Sequence, residues 1–158
     1  MKITGRLVWV GREHKNDPEQ SLCQRYLERI NHYGKFDQIA VKPIPGQSPE
    51  MTREKEARKC LQHLRERDFV FLCDERGQSL SSKAFAGQMQ TQGSGGNRRL
   101  VWIVGGSMGV AQELRQRADF VLSLSKMTLP HGLARAVLLE QIYRGLSILA
   151  GHPYHHEG

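Results

Sequence analysis

Short apolar runs alternate along the chain with longer segments whose apolar residues recur at helical spacing. Ile3 to Val10 is the first apolar run, with Leu7, Val8, Trp9 and Val10 closing on Gly11, and it predicts a strand. Asp17 to Tyr33 carries Leu22, Tyr26, Leu27 and Ile30 on one helical face. Asp17-Pro18 supplies the cap and first-turn proline of that helix. Phe36 to Ile44 alternates apolar and polar residues and stops at the turn pair Pro45-Gly46. Pro49 to Arg67 predicts a charged helix with one narrow apolar stripe, Ala57, Leu61 and Leu64, and a solvated face of interleaved bases and acids.

Phe69 to Leu72 is a continuous apolar run, the pattern of a strand covered on both faces. Ser81 to Gln92 predicts a helix, with Ser81 or Ser82 as cap, and Gly93 to Asn97 a loop. Leu100 to Val104 is a second buried-type strand, followed by a short helix from Val110 to Arg117 and a strand at Phe120 to Leu122. The last helix starts after Pro130 and runs to about Ala150, with Gly151 as its C-terminal cap. Five strand–helix pairs with short connections predict one α/β domain over residues 1–158, a mostly parallel sheet with helices on both faces.

The last helix is apolar on more than one side, through Leu133, Val137, Leu138, Ile142, Leu146 and Leu149 but also Ala134, Leu139 and Tyr143. Core packing and a dimer interface are both open for it. Arg135, Glu140 and Arg144 interrupt it, and charged groups there must be paired or functional.

Composition narrows the setting. The 158 residues are 39% hydrophobic and 25% charged, which are globular values. Lys and Arg number 23 against 16 Asp and Glu, a formal charge of +7 that points to a polyanionic partner. Cys23, Cys60 and Cys73 are scattered without Cys-x-x-Cys spacing, which reads as reduced thiols in a cytoplasmic protein. No stretch has the length of uncharged apolar residues that a membrane span needs, so a membrane partner is not expected.

Ligands of open parallel sheets bind beyond the carboxyl ends of the strands. Three segments stand there: Leu72 to Gly77, Gly105 to Gly109, and Leu124 to His131. Gly105-Gly106 could let backbone N–H groups approach a ligand, yet it is neither Gly-x-Gly-x-x-Gly nor a P-loop, and a plain tight turn reads equally well. The tail His152-Pro153-Tyr154-His155-His156 lacks accompanying acidic or cysteine ligands, so no metal is expected. An RNA-contacting tip, through stacking and phosphate bonds, remains open for it. No Gly-x-Ser-x-Gly elbow, paired carboxylates or nucleophile with a base is present, which points to chemistry carried by a bound cofactor.

The residues also carry a resemblance. Leu124-Ser125-Lys126-Met127-Thr128-Leu129-Pro130-His131, continued by Leu139 to Arg144 and Pro153-Tyr154-His155, closely resembles the RlmH family, SPOUT-class methyltransferases of large-subunit ribosomal RNA. Leu7 to Gly11, Leu72-Cys73-Asp74 with Gly77 and Ser81-Ser82, and Gly105-Gly106 are similar to earlier blocks of that family, so the resemblance spans the chain.

The resemblance implies a C-terminal trefoil knot, a homodimer, and S-adenosyl-L-methionine held by three loops of the knot. It also implies methylation of N3 of a pseudouridine in the intersubunit stem-loop of 23S rRNA, on the ribosome. Carried over residue by residue, the cofactor positions are Leu72, Gly105, Gly106, Leu124, Ser125, Lys126, Met127, Thr128 and Leu129. The catalytic set is Arg144, Tyr154 and His155, and these with His131 form the substrate-binding set. Two alternatives stand beside this: another SPOUT enzyme methylating a tRNA ribose 2′-oxygen, and a non-catalytic ribosome-binding module supported only by the unusual Ser107-Met108 pair.

Overall fold

The computed structural model describes residues 2–157. Five strands form one parallel sheet in the order β2-β1-β4-β3-β5, with β1 Ile3–Val10, β2 Gly34–Val41, β3 Phe69–Ser79, β4 Leu100–Val104 and β5 Phe120–Ser123. The helices are α1 Pro18–Ile30, α2 Pro49–Leu61, α3 Ser82–Met89, α4 Gln112–Arg117 and α5 His131–Ala150. Parallel strands need long crossovers, and the helices supply them.

The side-chain alternation of the strands sorts the core into two layers. On one face Leu7, Trp9, Phe71, Leu100 and Trp102 pack under α1, α3 and α5. On the other, Val8, Val10, Val70, Leu72, Val101 and Ile103 pack under α2 and α4. The continuous apolar runs of β1, β3 and β4 are thus buried on both sides, as their pattern predicts. Leu7, Trp102 and Phe71 stand in register across three strands, the last two rings stacked at 5.3 Å. Gly5 lies beneath Phe36 and Trp102: a Cβ there would sit 2.4 Å from the Phe36 ring, so this register tolerates no side chain.

Several elements differ from their predicted form, β2 among them, which spans Gly34–Val41 and stops short of Ile44. β3 does not stop at Leu72. It leaves β5 after Cys73, makes an excursion through Asp74–Gly77 and pairs again at Gln78 and Ser79. Gly77 permits this, because a Cβ there would meet the Val121 carbonyl oxygen at 2.6 Å. The second helix ends at Leu61, short of Arg67, in turns whose amides bond back to Arg58, Cys60 and Leu61. Gln90–Gly95, expected to be half helix and half loop, is a π-helical turn continuing α3, with Gly93 against Ile3 and Leu100. The long last helix ends as predicted, with Gly151 in the left-handed region at φ 73°. No helix among the described residues is long and apolar enough to cross a membrane.

Candidate active site

The carboxyl ends of β3, β4 and β5 converge on one cleft of about 640 Å³. Its walls are the β3 excursion Cys73–Arg76, the turn after β4 from Gly105 to Val110, and the approach to α5 from Leu124 to His131. Gly106 and Gly109 form a small antiparallel bridge, and Gly109 takes φ 87°, which reverses the chain inside the wall. A Cβ on Gly105 would sit 3.1 Å from Val110 Cγ2, and one on Gly106 3.0 Å from both Val10 Cγ1 and Glu56 Oε1. The two glycines therefore make the wall as close-fitting main chain.

Side chains lock the three segments together. Asp74 accepts from the Arg76 amide at 2.9 Å and pairs with Arg115 of α4. Burial works against its charge, but these donors outweigh it and hold the carboxyl below the usual range. Thr128 donates to Glu75 at 2.5 Å, and Ser123 donates to the carbonyls of Glu75 and Ser125. From behind, Arg53 donates to the Met108 carbonyl at 3.2 Å. The Cys73 thiol on the wall is pushed up to about 12 by burial and by Asp74, so it stays neutral and poorly nucleophilic.

The predicted cofactor residues divide in this setting. Gly105, Gly106, Leu124, Ser125, Met127, Thr128 and Leu129 line the cleft. Leu72 does not: its side chain is fully buried in the layer under α2 and α4, one residue behind the wall. Lys126 is exposed and lies outside the lining, since the turn closed by the Met127 amide on Ser125 Oγ presents its neighbours instead.

A second cluster is built on α5 from its middle onward and on the tail that follows it. Glu140 Oε1 accepts from Arg144 Nε and Nη2 at 2.9 and 2.6 Å and from the Tyr154 hydroxyl at 3.2 Å. Arg144 Nη1 lies 3.1 Å from His155 Nδ1, and its guanidinium sits over the Tyr154 ring at 4.7 Å. The Glu140 bond raises the Arg144 pKa. Burial, Tyr26 and Glu140 raise that of Tyr154, which keeps the phenol protonated as a donor. The tail thus folds onto its own helix and brings Arg144, Tyr154 and His155 together.

His131 is not with them. Residues 131 to 144 of α5 span about 20 Å at 1.5 Å per residue. His131 lines the cleft, so within one chain the expected substrate-binding set is split between the two ends of the helix.

Several partnerships at the site are not visible in the sequence. Glu140 was visible only as an interruption that had to be paired, although its i,i+4 spacing to Arg144 carried the signal. Arg135 is buried, stacked 3.6 Å from the Trp9 ring centroid and bonded to Gln20, a contact 115 residues apart in sequence. Arg115 of α4 and Arg53 and Glu56 of α2 back the cleft wall from separate elements and left no local pattern. Among the described residues no group of three or more His, Cys, Asp or Glu is placed to hold a metal ion.

Comparison with known proteins bears directly on this arrangement. A family model described as a predicted SPOUT methyltransferase matches residues 1–155. The Ribosomal RNA large subunit methyltransferase H of Maridesulfovibrio salexigens is 36% identical over 96% of this chain and 97% of its own. The protein of the same name from Allorhizobium ampelinum is 40% identical over 94% and 96%. Among solved structures, the SpoU methyltransferase AviRb of Streptomyces viridochromogenes superposes with a TM-score of 0.50 at 13% identity, over 96% of this chain and 62% of that one, a likeness of fold. With a family match running almost end to end, the chain belongs to the SPOUT methyltransferases.

Proposed function

We propose that the protein transfers a methyl group from S-adenosyl-L-methionine to N3 of a pseudouridine in the intersubunit stem-loop of 23S rRNA. In this reading it acts in the cytoplasm on the assembled particle, as a homodimer of one-domain chains. The observation that carries the proposal is the convergence of three strand ends on one glycine-edged cleft, with a separate polar cluster at the far end of the same helix.

The cleft fits the donor. Its volume lies within the range of small-molecule sites, about 300 to 1,000 Å³. Val104, Leu124, Leu129 and Ala134 offer apolar walls for a base and an alkyl stem, and Gly105-Gly106 offers close-fitting main chain where any Cβ would intrude. The bound donor supplies an electrophilic methyl on a positively charged sulfur. Gly105, Gly106, Leu124, Ser125, Met127, Thr128 and Leu129 would hold it, and the neutral Cys73 thiol does not compete for the methyl.

N3 must lose its proton to become nucleophilic. An imide of this kind is roughly two units above neutral, so deprotonation at pH 7 costs about 3 kcal/mol. The Arg144 guanidinium offsets part of that by facing the developing negative charge. Glu140 fixes its direction through two hydrogen bonds. Tyr154, held protonated, donates rather than accepts, and His155 stands beside Arg144 as the candidate proton acceptor. His131, at the cleft, would hold the substrate from the other side.

The separation of about 20 Å supports an active site completed in trans, with the partner subunit's tail over this chain's cleft. Support for a threaded C-terminal knot comes from β4, which is inserted between β1 and β3, and from α5, which returns from the edge strand β5 to pack on α1. The +7 charge supplies salt-sensitive affinity for the RNA backbone.

The test is to incubate the protein with ribosomal particles from a strain lacking the modification, then map the methyl group. Methylation at N3 of the stem-loop pseudouridine is expected. A methyl group on a tRNA ribose, or tight particle binding without transfer, overturns the assignment.

A further inference from the structure

All four tyrosines of the chain gather at one place. Tyr26 and Tyr143 lie 6.2 Å apart, Tyr33 and Tyr143 6.1 Å, and Tyr143 and Tyr154 4.7 Å, measured between ring centroids. His152 stands 5.5 Å from Tyr33 and is hydrogen-bonded to its hydroxyl. These rings come from α1, the turn after it, α5 and the tail, and all but the exposed His152 are half-buried. Four chain segments have therefore been brought together to make an aromatic surface that continues outward from the Arg144–Tyr154–His155 cluster.

Arg29 crowns that surface. Its guanidinium lies 5.6 Å from the Tyr26 ring centroid and 5.8 Å from that of Tyr143, and the residue is exposed. No carboxylate among the described residues pairs with it. The contrast with Arg144 is direct, since Arg144 is paired with Glu140 whereas Arg29 has no such partner. An arginine fixed by two aromatic faces spends little conformational freedom when its outer face meets a planar group.

We propose that Arg29, with Tyr26, Tyr33 and Tyr143 beneath it, is a stacking platform for an unpaired nucleobase flanking the methylated nucleotide. This rests on the reading of the protein as an rRNA methyltransferase and adds a substrate contact to it. A planar cation over aromatic rings complements an RNA loop in both charge and shape. Unpaired bases stack on aromatic rings and guanidinium planes, whereas a paired helix offers mainly phosphates. The platform selects splayed-out loop nucleotides, while the scattered lysines and arginines supply contacts that do not distinguish loop from helix.

The test uses the full-length protein and the variants Arg29→Ala and Arg29→Lys. Two probes are needed: methyl transfer to unmodified ribosomal particles, and binding of a fluorescein-labelled RNA hairpin with an unpaired loop, with a blunt duplex of equal charge as control. Arg29→Ala is expected to raise the KM for particles and the Kd for the hairpin about tenfold. It should leave kcat at saturation, the affinity for S-adenosyl-L-methionine, the dimer mass and duplex binding within about twofold. Arg29→Lys should recover little, because a point charge does not stack. Full recovery by lysine, equal loss for hairpin and duplex, or a fall in dimer mass each overturns the platform, the last by making this face a contact between subunits. Should the wild-type protein methylate no particle, the enzymatic reading fails by itself, and the hairpin-against-duplex comparison still decides the platform.

Discussion

The two ends of α5 show two different ways of making a site. At the His131 end the wall is largely main chain. Gly105 and Gly106 matter because they have no side chain, and the loops around them are tied by Asp74–Arg115, Thr128–Glu75 and Arg53 on a carbonyl. At the Arg144 end the site is all side chain: one carboxylate, Glu140, gathers a guanidinium and a phenol, and an imidazole rests on the guanidinium. The first is vulnerable to added atoms and the second to removed ones. Binding of a donor and orientation of an acceptor are thus assigned to surfaces that respond to opposite kinds of change.

The largest expected effect breaks the side-chain end. Arg144→Ala strips Glu140 and Tyr154 of their shared partner and removes the charge facing N3. The turnover number should fall about 10²- to 10³-fold, the range for losing one fixed donor at a developing anion. The affinity for S-adenosyl-L-methionine, measured calorimetrically, should change less than twofold, because the residue lies about 15 Å along α5 from Ala134, the last residue of that helix to line the cleft. Gly106→Val should do the reverse. Its branched side chain meets Val10 and Glu56, and overpacking of about 1–3 kcal/mol predicts donor binding weakened roughly 10- to 100-fold. A variant that lost binding and turnover equally would erase the distinction between the two ends.

Combining these changes sharpens the comparison. In a mixed dimer of one Gly106→Val chain and one Arg144→Ala chain, a site completed in trans leaves about one intact cleft–tail pair, and a site made in cis leaves none. Co-purified mixed dimers carrying two different tags should therefore regain methyl transfer that neither parent shows. Silence from the mixed dimers would place cleft and tail on the same chain.

The same contrast explains what was legible in the sequence. The apolar runs of β1, β3 and β4 are buried on both faces and announce themselves, as do Pro18 and Gly151 at helix ends. The three strand ends that meet at the cleft follow from the α/β pattern alone. The strand order does not, because placing β4 between β1 and β3 depends on long-range pairing that no local period records. Nor does the return of β3 to β5, which hinges on Gly77 lying against the Val121 carbonyl. At the tail, residue types pointed to chemistry. The role of Glu140 as the common acceptor needed the fold of Tyr154 back onto α5, fourteen positions away in sequence. At Leu72 strand alternation turns the side chain into the core while Cys73 faces the cleft, a direction that the residue types of a continuous apolar run do not record.

The smallest expected effects lie in pH dependence, and they separate the two ends once more. Asp74, at the cleft, has its folded pKa depressed. The unfolded chain therefore takes up this proton first as pH falls, and the contribution is complete above about pH 4 and lost through the lower folded value. Asp37 beside Arg6 and Asp68 beside Arg99 act in the same direction. Tyr154, at the tail, has its folded pKa raised. Its contribution is complete below about pH 10 and is lost as pH climbs toward the folded value, since the unfolded phenol ionises first. Urea midpoints across pH should show an acid limb that Asp74→Asn makes shallower and an alkaline limb that Tyr154→Phe makes shallower, each leaving the other limb in place. An alkaline limb unchanged by Tyr154→Phe would mean that the tail does not rest on α5 in solution, and the separation of the two ends would then no longer argue for a partner's tail.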